Sequence, residues 1–180
     1  MAQRSKSDIS NAALRVFLQQ VGAFYDRERG FDEYRSYKSQ KLQLLEFFNK
    51  SCCYCGSELS GSTMCEDHLV PMNKDALGLH AWGNVVPACI PCNKKKHFGA
   101  WPSYLRDACR GDKELLVLRT DRIVTFLEQY RYEPKLNLRA IAGNLYEDVG
   151  EVAMTLVGLR FKQAETVISE IVKSKKRGAA

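Results

Sequence analysis

The chain has 180 residues, of which 45% are hydrophobic and 27% charged, a composition typical of a folded domain rather than a disordered chain. Lysine and arginine outnumber aspartate and glutamate by 27 to 21, a mild basic excess that is compatible with nucleic-acid binding but does not establish it. No apolar run follows the N-terminal charges as in a secretory signal, and none approaches the length of a membrane span. These features predict a soluble, cytoplasmic protein.

Two amphipathic helices are predicted in the first 50 residues. Apolar side chains recur at helical spacing over residues 8–29, and Gly30 is suited to end that helix. Residues 39–50 show the same periodicity. We expect residues 1–50 to form an N-terminal helical segment that packs on a core supplied by a later part of the chain.

The character of the sequence changes between residues 51 and 100. Cysteine, glycine, proline and asparagine become frequent, and the apolar runs are short. Leu69–Val70 and Val85–Val86 are predicted to be short strands, because each is an apolar pair that ends at a proline. The residues after Cys92 suit a short helix, with Asn93 at or near its cap. This order predicts a small ββα unit.

Helices are predicted again in residues 101–180. One covers residues 102–110, a second covers residues 113–130, and the segment 145–172 is mostly helical, with Gly158 as the expected place for a break. The fold class expected for the chain is therefore α+β, with a small ββα core between N- and C-terminal α-helices.

Two C-x-x-C pairs, Cys52 with Cys55 and Cys89 with Cys92, predict a structural zinc site. The chain has seven cysteines, and an odd number without a signal peptide argues against a disulfide framework. Four thiolates complete the tetrahedral coordination of zinc and leave no position for water or substrate. In a core with few strands, zinc binding itself stabilises the fold. Cys53 is the one alternative ligand among the remaining cysteines.

A group of polar residues beside these pairs has the chemistry of a metal-dependent phosphodiesterase. An imidazole with an ordinary pKa suits a general base for water, which makes His68 a candidate. Asn93 and His97 are four residues apart, so both point the same way on a helix. The set comprises Asp67, His68, Asn84, Asn93 and His97.

The order of these residues resembles that of the HNH (ββα-metal) endonucleases that contain zinc knuckles. The resemblance covers residues 51–98, with D-H-x-x-P from Asp67 and N-x-V-P-x-C-x-x-C-N-x-x-K from Asn84. It implies that residues 51–100 form a nuclease core that hydrolyses DNA with one catalytic divalent metal, leaving 5′-phosphate and 3′-hydroxyl ends. The implied roles are general base for His68, orientation of that base for Asn84, and ligation of the catalytic metal for Asp67 and Asn93, with His97 as a third ligand or a phosphate contact.

The expected metals are structural zinc and a catalytic ion that is Mg²⁺ or another divalent metal. Lys94, Lys95 and Lys96 follow Asn93 and would supply sequence-independent affinity for the phosphates of DNA. The biological setting would be that of a restriction, defence or mobile-element nuclease. His80 lies in the loop between the two predicted strands and has no expected role.

Alternatives of function and assembly stay open at this point. A zinc-ribbon module that binds nucleic acid without cutting it needs only the cysteines, so the additional polar set argues against it. An RNase on the same core fits the motif equally well. The flanking helices either pack on a second subunit, giving a homodimer, or bury one another, giving a monomeric nickase.

Overall fold

The structure is a computed structural model that describes residues 5–31, 37–134 and 136–177. Within these ranges it contains six helices and one two-stranded antiparallel sheet, which confirms the predicted α+β class. None of these helices combines the length and the apolar character needed to cross a membrane. The elements are α1 (Lys6–Glu28), α2 (Tyr37–Phe47), β1 (Met64–His68), β2 (Val85–Cys89), α3 (Ile90–Lys96), α4 (Trp101–Ala108), α5 (Lys113–Gln129) and α6 (Arg139–Arg177).

The predicted helices outside the core are present, with ends shifted by a few residues. The expected break at Gly158 is wrong, because α6 continues through it. A single glycine costs a helix only about 1 kcal/mol, which strong helix formers on both sides outweigh. At the other end of the chain, Ser5 caps α1 by accepting a hydrogen bond from the Asp8 N–H group.

The ββα unit is built from β1, β2 and α3, but two of its predicted boundaries are wrong. β1 precedes the predicted strand at residues 69–70 and consists largely of polar residues that pair with β2, from Met64 opposite Cys89 to His68 opposite Val85. Helix α3 begins before Asn93, with Cys89 as its N-cap residue. The reason is Pro91, whose fixed φ angle suits the first turn of a helix.

Two hydrophobic clusters pack the flanking helices against this unit and its loop. The first joins α2, the sheet, α4 and α5 around Phe48, Tyr54 and Phe126. The second joins α1 and α6 to the loop between β1 and β2 through Leu18 and Leu79, both fully buried. The flanking helices therefore form part of the walls that surround the small sheet.

Helix α1 is tied to the loop that precedes β2. The buried carboxylate of Asp26 accepts a hydrogen bond from the Trp82 N–H group, 3.2 Å from each of its oxygens, and forms an ion pair with Arg29 at 2.5 Å. Burial raises the pKa of Asp26 to about 6, although these partners oppose the shift. The hydrogen bond between Asp26 and Trp82 holds the end of the loop against α1.

Candidate active site and metal centre

The predicted cysteine quartet is confirmed as a cluster with the geometry of a zinc site. One ligand atom from each of the four cysteines lies within 4.8 Å of every other, and Cys55 Sγ is 3.7 Å from Cys89 Sγ. A tetrahedron with Zn–S bonds of about 2.3 Å places its sulfurs about 3.8 Å apart. The four sulfurs could therefore hold a zinc ion with little movement: Cys52, Cys55, Cys89 and Cys92.

Burial and hydrogen bonding shift the pKa values of the quartet's thiols in opposite directions. Burial raises the pKa of Cys52 to about 11. Burial opposes ionisation of Cys55 as well, but hydrogen bonds from Ser57 outweigh it and lower the pKa of Cys55 to about 7. Arg119 of α5 donates to the Cys55 carbonyl at 2.7 Å and so braces this turn against the helix. Zinc binding would displace the remaining thiol protons.

An open cleft of about 540 Å³ lies between α1, β1 and α3. Asp67 and His68 line it from the end of β1, and Asn93 and His97 line it from α3 and its C-terminus. Lys94 also lines the cleft, so the structure brings five of the predicted site residues to one place. The sequence predicted that His97 lies on the same helix as Asn93, but His97 is the C-cap residue of α3, with a φ of 49°. Its N–H group still donates to the Asn93 carbonyl at 3.0 Å.

Asp67 is a buried carboxylate with two protein partners. The Tyr54 hydroxyl donates to its Oδ2 at 2.6 Å, and Lys96 Nζ lies 3.2 Å from Oδ1 and 3.1 Å from Oδ2. Burial raises the pKa of Tyr54 well above its ordinary value, which keeps the hydroxyl protonated as a donor. A carboxylate accepts about four hydrogen bonds, so these partners leave Asp67 capacity for a metal ion.

Lys96 was predicted to belong to an exposed basic rim, but it is buried. Only 3% of it is exposed, and its ammonium donates to the His68 carbonyl at 2.8 Å in addition to its contacts with Asp67. The physical reason is helical spacing, because Lys96 lies four residues after the buried Cys92 on the inner face of α3. Lys94 and Lys95 are exposed, as expected for the rim.

His68 is held in its neutral form at the inner end of the cleft. Burial is the main reason that its pKa is lowered to about 3, and the cationic neighbours Lys96 and Arg15 lower it further. A neutral imidazole can accept a proton from water, but a pKa this low makes His68 a weaker base than the ordinary imidazole that the sequence predicted. His80, which had no expected role, places Nδ1 3.0 Å from Nε2 of His68.

Asn84 is fully buried and bridges both ends of the loop between β1 and β2. Its Oδ1 accepts from the Val70 N–H group at 2.8 Å. Its Nδ2 donates to the Val70 carbonyl at 3.1 Å and to the Leu79 carbonyl at 2.7 Å. Gly78 completes the closure, because a Cβ at that position would lie 1.9 Å from the Val70 carbonyl oxygen.

Comparison with known proteins identifies the segment that contains this site. Residues 52–99 match the family model of the HNH endonucleases. Residues 52–99 form an HNH endonuclease domain. A search among curated proteins found no match for the chain. The matched segment includes the HNH domain's sheet, cysteine quartet and polar cleft residues, whereas the long helices on either side lie outside it.

Helix α1 contributes residues to the HNH cleft that the sequence did not reveal. Arg15 and Gln19 line it from the side opposite α3, and Glu66 lines it from β1. On the helical pattern of α1, Arg15 and Gln19 are ordinary polar positions. Their place in the cleft depends on how α1 packs on the loop, for which the sequence gives no signal.

Proposed function

We propose that this protein is a DNA endonuclease that hydrolyses phosphodiester bonds in the cleft between β1 and α3. The observation that supports this proposal is the convergence of the half-buried, neutral imidazole of His68 with carboxylate, amide and imidazole side chains in one open cleft of an HNH domain. A purely structural zinc module requires none of these groups. The proposal therefore favours catalysis over a non-catalytic zinc ribbon.

The side chains of the cleft divide the work of hydrolysis. His68 is the general base that takes a proton from the attacking water, and Asn84 holds the backbone that follows it. Lys94 and Lys95 are exposed beside the cleft and bind the phosphates that flank the scissile bond. Arg15 adds a positive charge on the opposite wall, where it attracts the same backbone.

Asp67, Asn93 and His97 would hold the catalytic divalent ion, with Mg²⁺ as the expected metal. Two oxygen donors and one imidazole in an open cleft suit a hard divalent ion that keeps positions for water and phosphate. When bound there, such an ion acts as a Lewis acid on the scissile phosphate and stabilises the leaving 3′-oxygen. The cysteine quartet, which has no free position, holds structural zinc.

The biological setting that fits this proposal is an intracellular restriction or defence nuclease. Thiolate ligands must remain reduced to bind zinc, which favours a cytoplasmic location. The same proposal divides the chain into an N-terminal helical segment, a nuclease core and a C-terminal helical segment.

Cleavage by the wild-type protein and His68→Ala tests the function. With Mg²⁺ or Mn²⁺ present, the wild type should convert supercoiled plasmid to nicked or linear forms. His68→Ala should cut about 10²–10⁴ times more slowly, with unchanged zinc content and thermal midpoint. Folded RNA of similar length serves as the second substrate. Equal rates for the wild type and His68→Ala contradict the mechanism. Faster cleavage of RNA than of DNA would show that RNA is the substrate of this site.

We propose in addition that two copies of this chain associate through the C-terminal half of α6. The side chains from Met154 to Ser169 are all exposed, among them Val157, Phe161 and Ile168, which are 57%, 62% and 59% exposed. Val157, Phe161, Ala164 and Ile168 are spaced four, three and four residues apart, which is the spacing of a coiled-coil seam, and further exposed apolar side chains such as Leu159 flank this stripe. A second copy would cover this stripe.

Charges beside the seam favour a parallel arrangement of the two helices. If Met154 occupies position a of a heptad, Arg160 lies at position g and Glu165 at the next position e. In a parallel pair, position g of one helix faces the following position e of the other, so these opposite charges meet across the seam. Such a two-fold pair would place one cleft on each strand of a symmetric DNA site.

Charge swapping tests this pairing by light scattering at low salt. The wild type should be a dimer, Arg160→Glu should weaken it by about tenfold, and adding Glu165→Arg should restore it, because two such pairs form by symmetry. A monomeric wild type contradicts the dimer. An Arg160→Glu protein that dimerises as tightly as the wild type contradicts the parallel arrangement.

A further inference from the structure

His80 and His68 meet ring to ring at the inner end of the cleft. His80 Nδ1 lies 3.0 Å from His68 Nε2, and the ring planes are inclined at 50°. Two imidazole nitrogens at this distance share one proton in a hydrogen bond, so one ring donates and the other accepts. The direction of this hydrogen bond decides whether Nδ1 of His68 is free to act as a base.

The backbone on both sides of His80 is fixed by contacts from distant parts of the chain. The Leu79 N–H group donates to the Tyr132 hydroxyl at 3.1 Å, and the Leu79 carbonyl accepts from Asn84 at 2.7 Å. Two residues after His80, the Trp82 N–H group donates to Asp26 of α1. The loop therefore presents the His80 ring from a rigid support.

Helix α1 also touches the His80 backbone directly. A Cβ built at Gly22 would lie 2.3 Å from the His80 carbonyl oxygen, so only glycine permits this approach. Gly22 is a buried residue of α1, where a glycine costs stability relative to alanine. The packing of α1 thus sets the position of His80 from outside the HNH domain.

We propose that His80 is a positioning residue that accepts the Nε2 proton of His68 at its own Nδ1. This proposal rests on the proposed endonuclease function. Nδ1 of His68 is then the unprotonated nitrogen, and it receives a proton from water while the water oxygen bonds to phosphorus and the 3′-oxygen departs. The Nε2 proton stays in place throughout. With the opposite direction, Nδ1 of His68 carries the proton and the ring has no basic nitrogen in reach of water.

The tautomer of His68 is measurable in the free protein. The chain has three histidines, so a nitrogen-15 spectrum of the zinc-loaded, full-length protein contains three rings, assigned with His68→Ala and His80→Asn. We expect His68 to be protonated at Nε2 and unprotonated at Nδ1. A wild-type His68 protonated at Nδ1 overturns the proposal. This measurement needs no activity, so it decides the proposal even if the protein cuts no nucleic acid.

Single-turnover cleavage of plasmid gives the functional readout. His80→Ala should lower the rate by about 10–100-fold with unchanged DNA affinity, and a mixture of His68 tautomers should appear. His80→Asn should recover most of the rate, because its amide oxygen accepts a hydrogen bond near the place of Nδ1. His80→Ala that cuts as fast as the wild type, or His80→Asn no faster than His80→Ala, overturns the proposal. Should His80→Ala fail to fold, the wild-type tautomer and His80→Asn remain decisive.

Discussion

Replacing Asn84 with alanine should uncouple the loop between β1 and β2 from the sheet. The substitution removes three hydrogen bonds from a fully buried side chain, two with Val70 and one with Leu79. Each contributes about 0.5–1.5 kcal/mol net, so Asn84→Ala should lower the free energy of unfolding by about 1.5–4.5 kcal/mol. Cleavage should also slow by at least about tenfold, because Val70 lies two residues after His68.

Asn73→Ala is the matched control for this experiment. Asn73 lies in the same loop, and its Oδ1 accepts from the N–H groups of Asp75 at 3.0 Å and Ala76 at 2.8 Å. Asn73 is only half-buried, so water can replace these bonds, and the expected cost is about 1 kcal/mol or less. Urea unfolding at fixed zinc concentration and plasmid cleavage measure both variants. Equal losses in the two variants, or an Asn84→Ala protein with the wild-type rate, refute the reasoning.

Three further predictions follow from the metal sites and the basic rim. Cys92→Ala should lose bound zinc and the cooperative unfolding transition, measured by metal analysis and circular dichroism; a folded, zinc-free variant would falsify the structural role. Lys96→Met should lower the free energy of unfolding by about 3–5 kcal/mol, because it leaves Asp67 charged and buried. Millimolar Mg²⁺ should restore part of this loss. An unchanged free energy of unfolding would contradict a stabilising ion pair between Lys96 and Asp67. The double variant Lys94→Gln, Lys95→Gln should reduce the slope of log affinity for DNA against log salt by about two; an unchanged slope removes both lysines from the phosphate contacts.

The sequence predicted which cysteines cluster and which polar residues line the cleft, because local spacing carries that information. Paired cysteines two residues apart describe a zinc knuckle whatever surrounds them, and the structure brings Cys52 and Cys89 to the same cluster. Asn93 and His97 are close in sequence and line the same cleft. Their individual roles stay predictions.

What the sequence did not reveal depends on which side of an element faces the core. The sequence has three consecutive lysines at positions 94–96 and does not distinguish between them. Only the packing of α3 shows that Lys96 is buried against Asp67. His80 acquires a partner because the loop folds back across the end of β1. Arg15 lines the cleft because α1 packs closely against the loop. This is a tertiary contact, and no local pattern in the sequence indicates it.

Cleavage of supercoiled plasmid by chelator-treated protein tests the central claim most directly. After treatment with a chelator too weak to extract zinc from a closed thiolate site, the protein should retain one zinc per chain and cut no DNA. Adding Mg²⁺ or Mn²⁺ should restore cutting in the wild type, whereas Asp67→Ala should stay inactive at the same zinc content. Cleavage by the wild type without added metal, or by Asp67→Ala at the wild-type rate, would contradict hydrolysis at this cleft.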